Sequence, residues 1–392
     1  MVGLAAVAYV IVALARAAPP TVVPVAPSGA FPGPPPALAW PSQGESAAGV
    51  EGVGVIAVHG SGRPTPIASI AKVMTAYLLL HDHPLGLAGD GPLITVGPTD
   101  VAAYQADHAA GQSVVAVQPG ERLTERQALG GLLLPSGNNI ATLLAGWDAG
   151  SEPAFAAKMN AQARALGLTH THYADASGVL PGTVSTASDQ LRLAMLALEA
   201  PAFAQIVAMP QATLPVAGRQ YNVDALVGKD GIVGVKTGST WQAGGCFVFA
   251  AQEPLGGRTV TLVGAVLHQL ATPAQPSIIR AAFQASTTLL DSVRHVVVPV
   301  RVVRRGATVA WLKAPWAGPV AVRAAGSATL VGWPGLAIRS AIETARPPAA
   351  PLNAGQSLGT AVVAAGTQRA QVRLVTANAL PQPSLAWRLT HP

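Results

Sequence analysis

The chain has 392 residues, 50% of them hydrophobic and only 11% charged, with 41 glycines and 34 prolines; so much apolar material can fill two packed domains and excludes a disordered or fibrous protein. The net charge of +6 is unevenly spread: residues 45–291 carry 12 basic and 17 acidic side chains, residues 292–392 carry 11 basic side chains and one acid, Glu343. The single cysteine, Cys246, excludes an intramolecular disulfide and any multi-cysteine metal site.

Residues 2–15 form an unbroken apolar run followed by Arg16-Ala17-Ala18. This is shorter than the roughly 20 residues of a membrane span and suits the hydrophobic region of a signal peptide, with Ala15-Arg16-Ala17 as the cleavage site. No basic stretch precedes it, so an uncleaved N-terminal anchor is the alternative for residues 1–18. Residues 19–48 read as a linker. Nine prolines between Pro19 and Pro41 predict a semi-rigid, polyproline-like spacer that packs as neither helix nor sheet.

Residues 54–58 read as a strand and 59–62 as a turn. Ile70, Val73, Met74, Tyr77 and Leu78 recur at helical spacing and predict a helix over 67–80. Further helices are expected at 124–133, 139–147, 153–166 and 188–198, and strands at 232–236, 245–251 and 259–267. Together these predict an α/β (α+β) body over residues 49–292, with helices around a central antiparallel sheet. After a helix at 276–293, short β-branched runs at 296–303, 308–312, 319–323, 359–364 and 371–376 predict a small all-β sandwich over 293–392.

In that last segment arginines alternate with apolar neighbours, which directs many of them to solvent. The surplus of cations suits docking on an anionic envelope surface; a merely solubilising stalk is the alternative reading. Nucleic acid is not expected, because no zinc-finger spacing, helix-turn-helix or aromatic-basic motif accompanies the charge. No amphipathic helix is expected after Trp387-Arg388-Leu389, and hence no C-terminal membrane anchor.

Ser69 and Lys72 stand one helical turn apart on one face. A serine hydroxyl needs a base within hydrogen-bond reach, and Lys72 can serve only if burial and a second cation lower its pKa. Ser136-Gly137-Asn138 follows an apolar helix; read alone it is a helix N-cap. Lys236-Thr237-Gly238 ends an apolar strand and is followed by Ser239. It offers the second cation, a hydroxyl for a substrate carboxylate and a close backbone approach at glycine; read alone it is an edge-strand turn. The three in this order match the S-x-x-K, S-x-N and K-T-G motifs of serine penicillin-recognising enzymes.

Around them, Gln118-Pro119-Gly120-Glu121, Leu133-Leu134-Pro135, Ser185-Thr186-Ala187-Ser188-Asp189 and Ala243-Gly244-Gly245-Cys246 resemble low-molecular-mass D-alanyl-D-alanine carboxypeptidases. The resemblance implies a penicillin-binding fold and acyl transfer on peptidoglycan stem peptides. It assigns Ser69 as nucleophile, Lys72 as base, Ser136 as proton relay, and Asn138 and Lys236 as the groups fixing that network. The backbone N–H groups of Ser69 and Ser239 would form the oxyanion hole, Thr237 would hold the substrate carboxylate, and Gly238 would lie in the substrate-binding strand. It further implies an exported enzyme that binds β-lactams and needs no metal or cofactor.

Two departures stand out. The stretch before Ile67 is short, so a trimmed first hairpin is expected, and residues 268–279 lack the arginine that relatives often place there, leaving Arg280 as a loose candidate. His81-Asp82-His83 and His170-Thr171-His172 read as turn residues, since neither has a complementary ligand cluster. Cys246 reads as buried packing. Two alternatives stand beside this reading. A class A-like serine β-lactamase requires a deacylating glutamate, and neither Glu152 nor Glu199 stands in an E-x-x-L-N setting. A non-catalytic cell-wall-binding module would tolerate loss of motif residues, and none is lost.

Overall fold

Side-chain alternation along one buried strand organises the first unit. In residues 246–251 Cys246, Val248 and Ala250 join the core beneath the helices, while Phe247 points to the other face, edge-on to Phe283 with ring centroids 5.1 Å apart. A strand buried on both faces carries no polar alternation, which is why this run is continuously apolar. The computed structural model describes residues 9–10, 19–25, 29–344 and 347–391, and two compact units emerge. One spans Pro36–Val296; the other joins the N-terminal residues up to Pro35 with the chain from Val297 onward.

The first unit contains β1 (Glu45–Val50), β2 (Gly54–His59), β3 (Ile232–Thr240), β4 (Gly244–Leu255) and β5 (Arg258–Gln269). They form one antiparallel sheet in the order β3-β4-β5-β1-β2. The first hairpin is formed, with six-residue strands. Its strand β1 starts inside the expected linker, and Glu-Ser-Ala-Ala-Gly-Val is too small and polar to read as a strand although all six residues are buried.

Between β2 and β3 run α1 (Lys72–Asp82), α2 (Pro98–Ala109), α3 (Glu125–Leu133), α4 (Asn138–Ala149), α5 (Glu152–Ala165), α6 (Ala187–Leu198) and α7 (Pro201–Val207); α8 (Ile278–Val296) follows β5 and packs on β4 and β5. The starts of α3, α5 and α6 follow from capping. Thr124, Ser151 and Thr186 each accept a backbone N–H of the first turn, a cap worth about 1 kcal/mol. Sequence periodicity missed α2 because no residue in it is buried, and α7 is only seven residues long. The hub is α1, packed against α3, α4, α5, α6 and α7.

In the second unit the expected spacer is corrected. Thr21–Pro24 pairs with Thr308–Ala314 and Gly29–Ala30 pairs with Ala337–Glu343, so these two segments close opposite edges of a seven-stranded antiparallel sheet. Proline is tolerated there because an edge strand needs N–H groups on one side only. Phe31 is 2% exposed and anchors the segment in the core. Between Thr308–Ala314 and Ala337–Glu343 run the other three inner strands, Ala317–Ala324, Gln368–Thr376 and Ser357–Ala365. A two-stranded ribbon, Val298–Val303 with Ala328–Gly332, shares its core through Val303 and Leu330 against Leu312, Val322, Val363 and Leu374. The signal peptide or anchor expected over residues 1–18 lies outside the described residues but for Tyr9 and Val10. No helix among the described residues is long and apolar enough to cross a membrane.

Candidate active site

Ser69 sits half-exposed in a 3-10 turn, Ala68–Ala71, that runs directly into α1, whose first residue is Lys72. The turn is tight. Ala68 has a φ of 48°, and Gly178 packs against it so closely that any side chain there would overlap the Ala68 carbonyl.

Lys72 is fully buried and its Nζ lies 2.8 Å from Ser69 Oγ, 3.2 Å from Ser136 Oγ and 2.6 Å from Asn138 Oδ1. Ser136 lies in the tight link between α3 and α4, and Asn138 opens α4. The N-cap of α4 is Gly137, with no side-chain cap, so Ser136 and Asn138 are free of the capping role and turn to Lys72. Ser136 is held at a φ of 66°. A side chain at Gly137 would press on Val115 and the Gly131 carbonyl, which accounts for glycine between the two polar residues.

On the other side β3 brings Lys236 and Thr237, both buried. Gly238 lets the strand lie on the Ser69 turn: a Cβ there would stand 2.9 Å from Ile67 O and 3.1 Å from the backbone nitrogens of Ser69 and Ile70. Ser239 follows, lining the same cleft as Ser69. All eight residues singled out from the sequence are thus brought to one place. Lys236 differs from expectation in its bonding, since its Nζ donates to Thr237 O at 3.0 Å and acts on the network through its charge.

Burial and the like charge of Lys236 hold Lys72 well below the usual lysine range, against an opposing pull from Asp175 and Asp107. Burial also brings Lys236 down to about 7, opposed by Asp224. Two buried ammonium groups oppose each other's charge, and burial pulls both lysines toward neutrality, with the charge of Lys236 adding to the effect on Lys72. Asp224 escaped sequence reasoning; it is 5% exposed, and burial pushes its carboxyl up to about 6.

The cleft over Ser69 encloses about 750 Å³, lined by Ser69, Gln112, Asn138, Val179, Ser239 and the 92% exposed Trp241 among others. A second cavity of about 320 Å³ shares Gln112, Asn138 and Val179 and holds Asp107, Glu152 and Asp175. Gln112 and Trp241 also went unread, because a loop residue without periodicity carries no signal until folding brings it to the site. Arg280 is exposed in the first turn of α8 and is not among the residues lining the cleft.

Other conspicuous residues hold the frame. Glu121 accepts from Gln118 N and Val216 N. Asp189 accepts from His170 N and Thr171 Oγ1. His83 pairs with Asp148, and Lys158 bridges Asp148 and Asp82. Cys246 is buried, its thiol pushed up to about 12.

A family model described as D-alanyl-D-alanine carboxypeptidase matches residues 53–267, more than half of the chain and all three motifs. The chain belongs to this family. It is a serine-type DD-carboxypeptidase, and the β-lactamase and non-catalytic alternatives fall away. It is 39% identical over 219 residues to D-alanyl-D-alanine carboxypeptidase DacB2 of Mycobacterium tuberculosis, covering 54% of this chain and 69% of that one. A D-alanyl-D-alanine carboxypeptidase of Streptomyces is 33% identical over 226 residues, covering 53% and 74%. A peptidoglycan synthesis regulatory factor from Streptococcus pneumoniae superposes with a TM-score of 0.65 at 20% identity, covering 88% of this chain and 100% of that structure. The family's fold, a helix-enclosed antiparallel sheet followed by a strand-rich C-terminal region, is the fold found here.

Proposed function

We propose that this DD-carboxypeptidase removes the terminal D-alanine of peptidoglycan stem peptides through an acyl-enzyme on Ser69. The observation that carries this is the buried Lys72 Nζ, 2.8 Å from Ser69 Oγ and held toward its neutral form. Neutral Lys72 takes the Ser69 proton as Oγ attacks the penultimate carbonyl. The oxyanion is received by the backbone N–H groups of Ser69 and Ser239, each donor worth about 3 kcal/mol. Thr237 holds the terminal carboxylate in the field of Lys236. Ser136, 3.2 Å from Lys72 Nζ, passes a proton to the departing amine, and the C–N bond breaks. Water then attacks the ester with Lys72 again as base, which restores Ser69.

A β-lactam enters the same path, but its leaving group stays tethered. Glu152 lies in the neighbouring cavity and accepts from Ala176 N, so no glutamate is poised to speed deacylation and the penicilloyl enzyme is long-lived. Labelling the protein with a fluorescent penicillin and mapping the modified residue tests the reading: modification anywhere but Ser69, or turnover of benzylpenicillin many times per second, overturns it.

We place the enzyme outside the cytoplasm, at the cell envelope, with residues 49–292 carrying the chemistry. Residues 293–392 adhere to an anionic envelope surface. In their sheet Arg323, Arg369 and Arg373 alternate with the buried Val322, Val372 and Leu374 and therefore share the outer face, where guanidinium forks suit phosphate or carboxylate groups.

A further inference from the structure

Lys72 can act as a base only if its lone pair is free for the Ser69 proton. A neutral amine has two N–H groups and one lone pair, and three oxygens surround this one. With the lone pair toward Ser69, the two N–H groups must go to Ser136 Oγ and Asn138 Oδ1. Asn138 must therefore show oxygen to Lys72. A side-chain amide is nearly symmetric in shape, so sterics do not choose between its two orientations. Flipped, its NH₂ would donate into the lysine lone pair and compete with Ser69.

The far side of the amide adds to the choice. Asn138 Nδ2 donates to Gln112 Oε1 at 2.7 Å, so with the Gln112 oxygen turned to Asn138 a flipped Asn138 would lose this bond as well as that to Lys72. Gln112 is fixed at the backbone from both directions. Its N–H donates to Asp107 O, at the end of α2. Beyond it, Ser113 O accepts from Asn138 N, and Asn139 pairs with both Val115 N and Val115 O. The loop is thereby laced to the first turn of α4, with the Gln112 side chain set against Asn138.

We propose that Gln112 is a positioning residue, holding the Asn138 carbonyl toward Lys72 and so keeping the lysine lone pair available to Ser69. This rests on the reading of Lys72 as the base. It adds a determinant outside the three motifs, on a loop that lines both cavities.

The test uses the full chain and a fluorescent penicillin, with the acylation rate constant and the pre-covalent dissociation constant measured from pH 5 to 10. Gln112→Met keeps the length and removes the acceptor; it should slow acylation about tenfold, the factor that goes with losing one net hydrogen bond, with the dissociation constant unchanged. Gln112→Glu can only accept, so it should recover most of that rate. Its carboxylate adds to Asp175 and Asp107, which face Lys72 and oppose the effect of Lys236, so the acid limb should move to higher pH. Acylation of Gln112→Met within twofold of the parent overturns the proposal. So does a loss seen in the dissociation constant instead of the rate, or Gln112→Glu acylating as slowly as Gln112→Met with an unmoved limb. Should Gln112→Met fail to fold, the displaced limb of Gln112→Glu decides. Lys72→Met separates the two readings: if it still acylates, the base assignment fails, whereas a dead Lys72→Met beside a normal Gln112→Met sinks only the role of Gln112.

Discussion

Gly238→Ala should disable the enzyme while leaving it folded. The added methyl would stand 2.9 Å from Ile67 O and 3.1 Å from Ser69 N and Ile70 N, where an ordinary contact begins at 3.4 Å. All three atoms are backbone, so no rotamer change relieves the overlap, and β3 must part from the Ser69 turn by about half an ångström. Ser239 N and Ser69 N stand on opposite sides of that gap, so one oxyanion donor is lost, which is worth about 3 kcal/mol or roughly a hundredfold in rate. Overpacking itself costs about 1–3 kcal/mol, a fall in Tm of several degrees for a unit of this size. The control is Gly146→Ala within α4, where a methyl meets nothing within 4 Å; it should gain about 1 kcal/mol from helix propensity at unchanged activity. Acylation by fluorescent penicillin, D-alanine release and thermal unfolding would be measured on all three proteins. If Gly238→Ala acylates within about threefold of the parent, the oxyanion placement derived from the β3 approach is wrong.

Ser69→Ala should abolish both penicillin labelling and D-alanine release, and labelling at full stoichiometry would refute the nucleophile. Lys72→Arg should be nearly inactive although the charge is kept, because guanidinium does not deprotonate; D-alanine release reads this directly. Activity should fall on the acid side as Lys72 takes up a proton, since only the neutral amine accepts from Ser69. Lys72→Met should raise Tm while removing activity: a lysine whose folded pKa is depressed destabilises the fold at neutral and lower pH, and the penalty fades as pH climbs toward the unfolded value near 10.4. The gain in Tm should therefore shrink between pH 7 and 10, and a gain independent of pH would contradict the buried-amine account. Asp224→Asn should lower the Lys236 pKa further, weakening its hold on the substrate carboxylate; steady-state kinetics should show KM rising about tenfold with a smaller change in kcat. Binding of the full chain to anionic vesicles or wall fragments should weaken as salt rises past about 0.15 M, where the screening length is near 8 Å, and no binding even at low salt would end the docking reading.

Particular residues show why some of this was legible in the sequence. Ser69 and Lys72 fall one turn apart at a helix start, and spacing within a single helix is fixed by covalent geometry, so their juxtaposition follows from order alone. The starts of α3, α5 and α6 rest on equally local bonds, since the side chains of Thr124, Ser151 and Thr186 cap their own first turns. By contrast β1 is six small or polar residues whose strand character comes from pairing with β5 and β2. The prolines of residues 19–41 argued against sheet, yet two short segments among them find edge positions where a missing N–H goes unnoticed.

The sequence by itself determined the chemistry available: a serine with a lysine one turn on, a second serine and asparagine, and a strand-ending lysine, threonine and glycine, in the order its family uses. Only the tertiary structure decided that Lys72 lies buried in the field of Lys236 and so tends to neutrality, that Ser136 and Asn138 face it in place of capping α4, and that Gln112 and Asp224 belong to the site. The physical reason is range. Helical spacing and capping act over a few bonds, whereas desolvation, the pairing of charges and the orientation of an amide depend on groups brought together from far along the chain, 66 residues apart for Lys72 and Asn138.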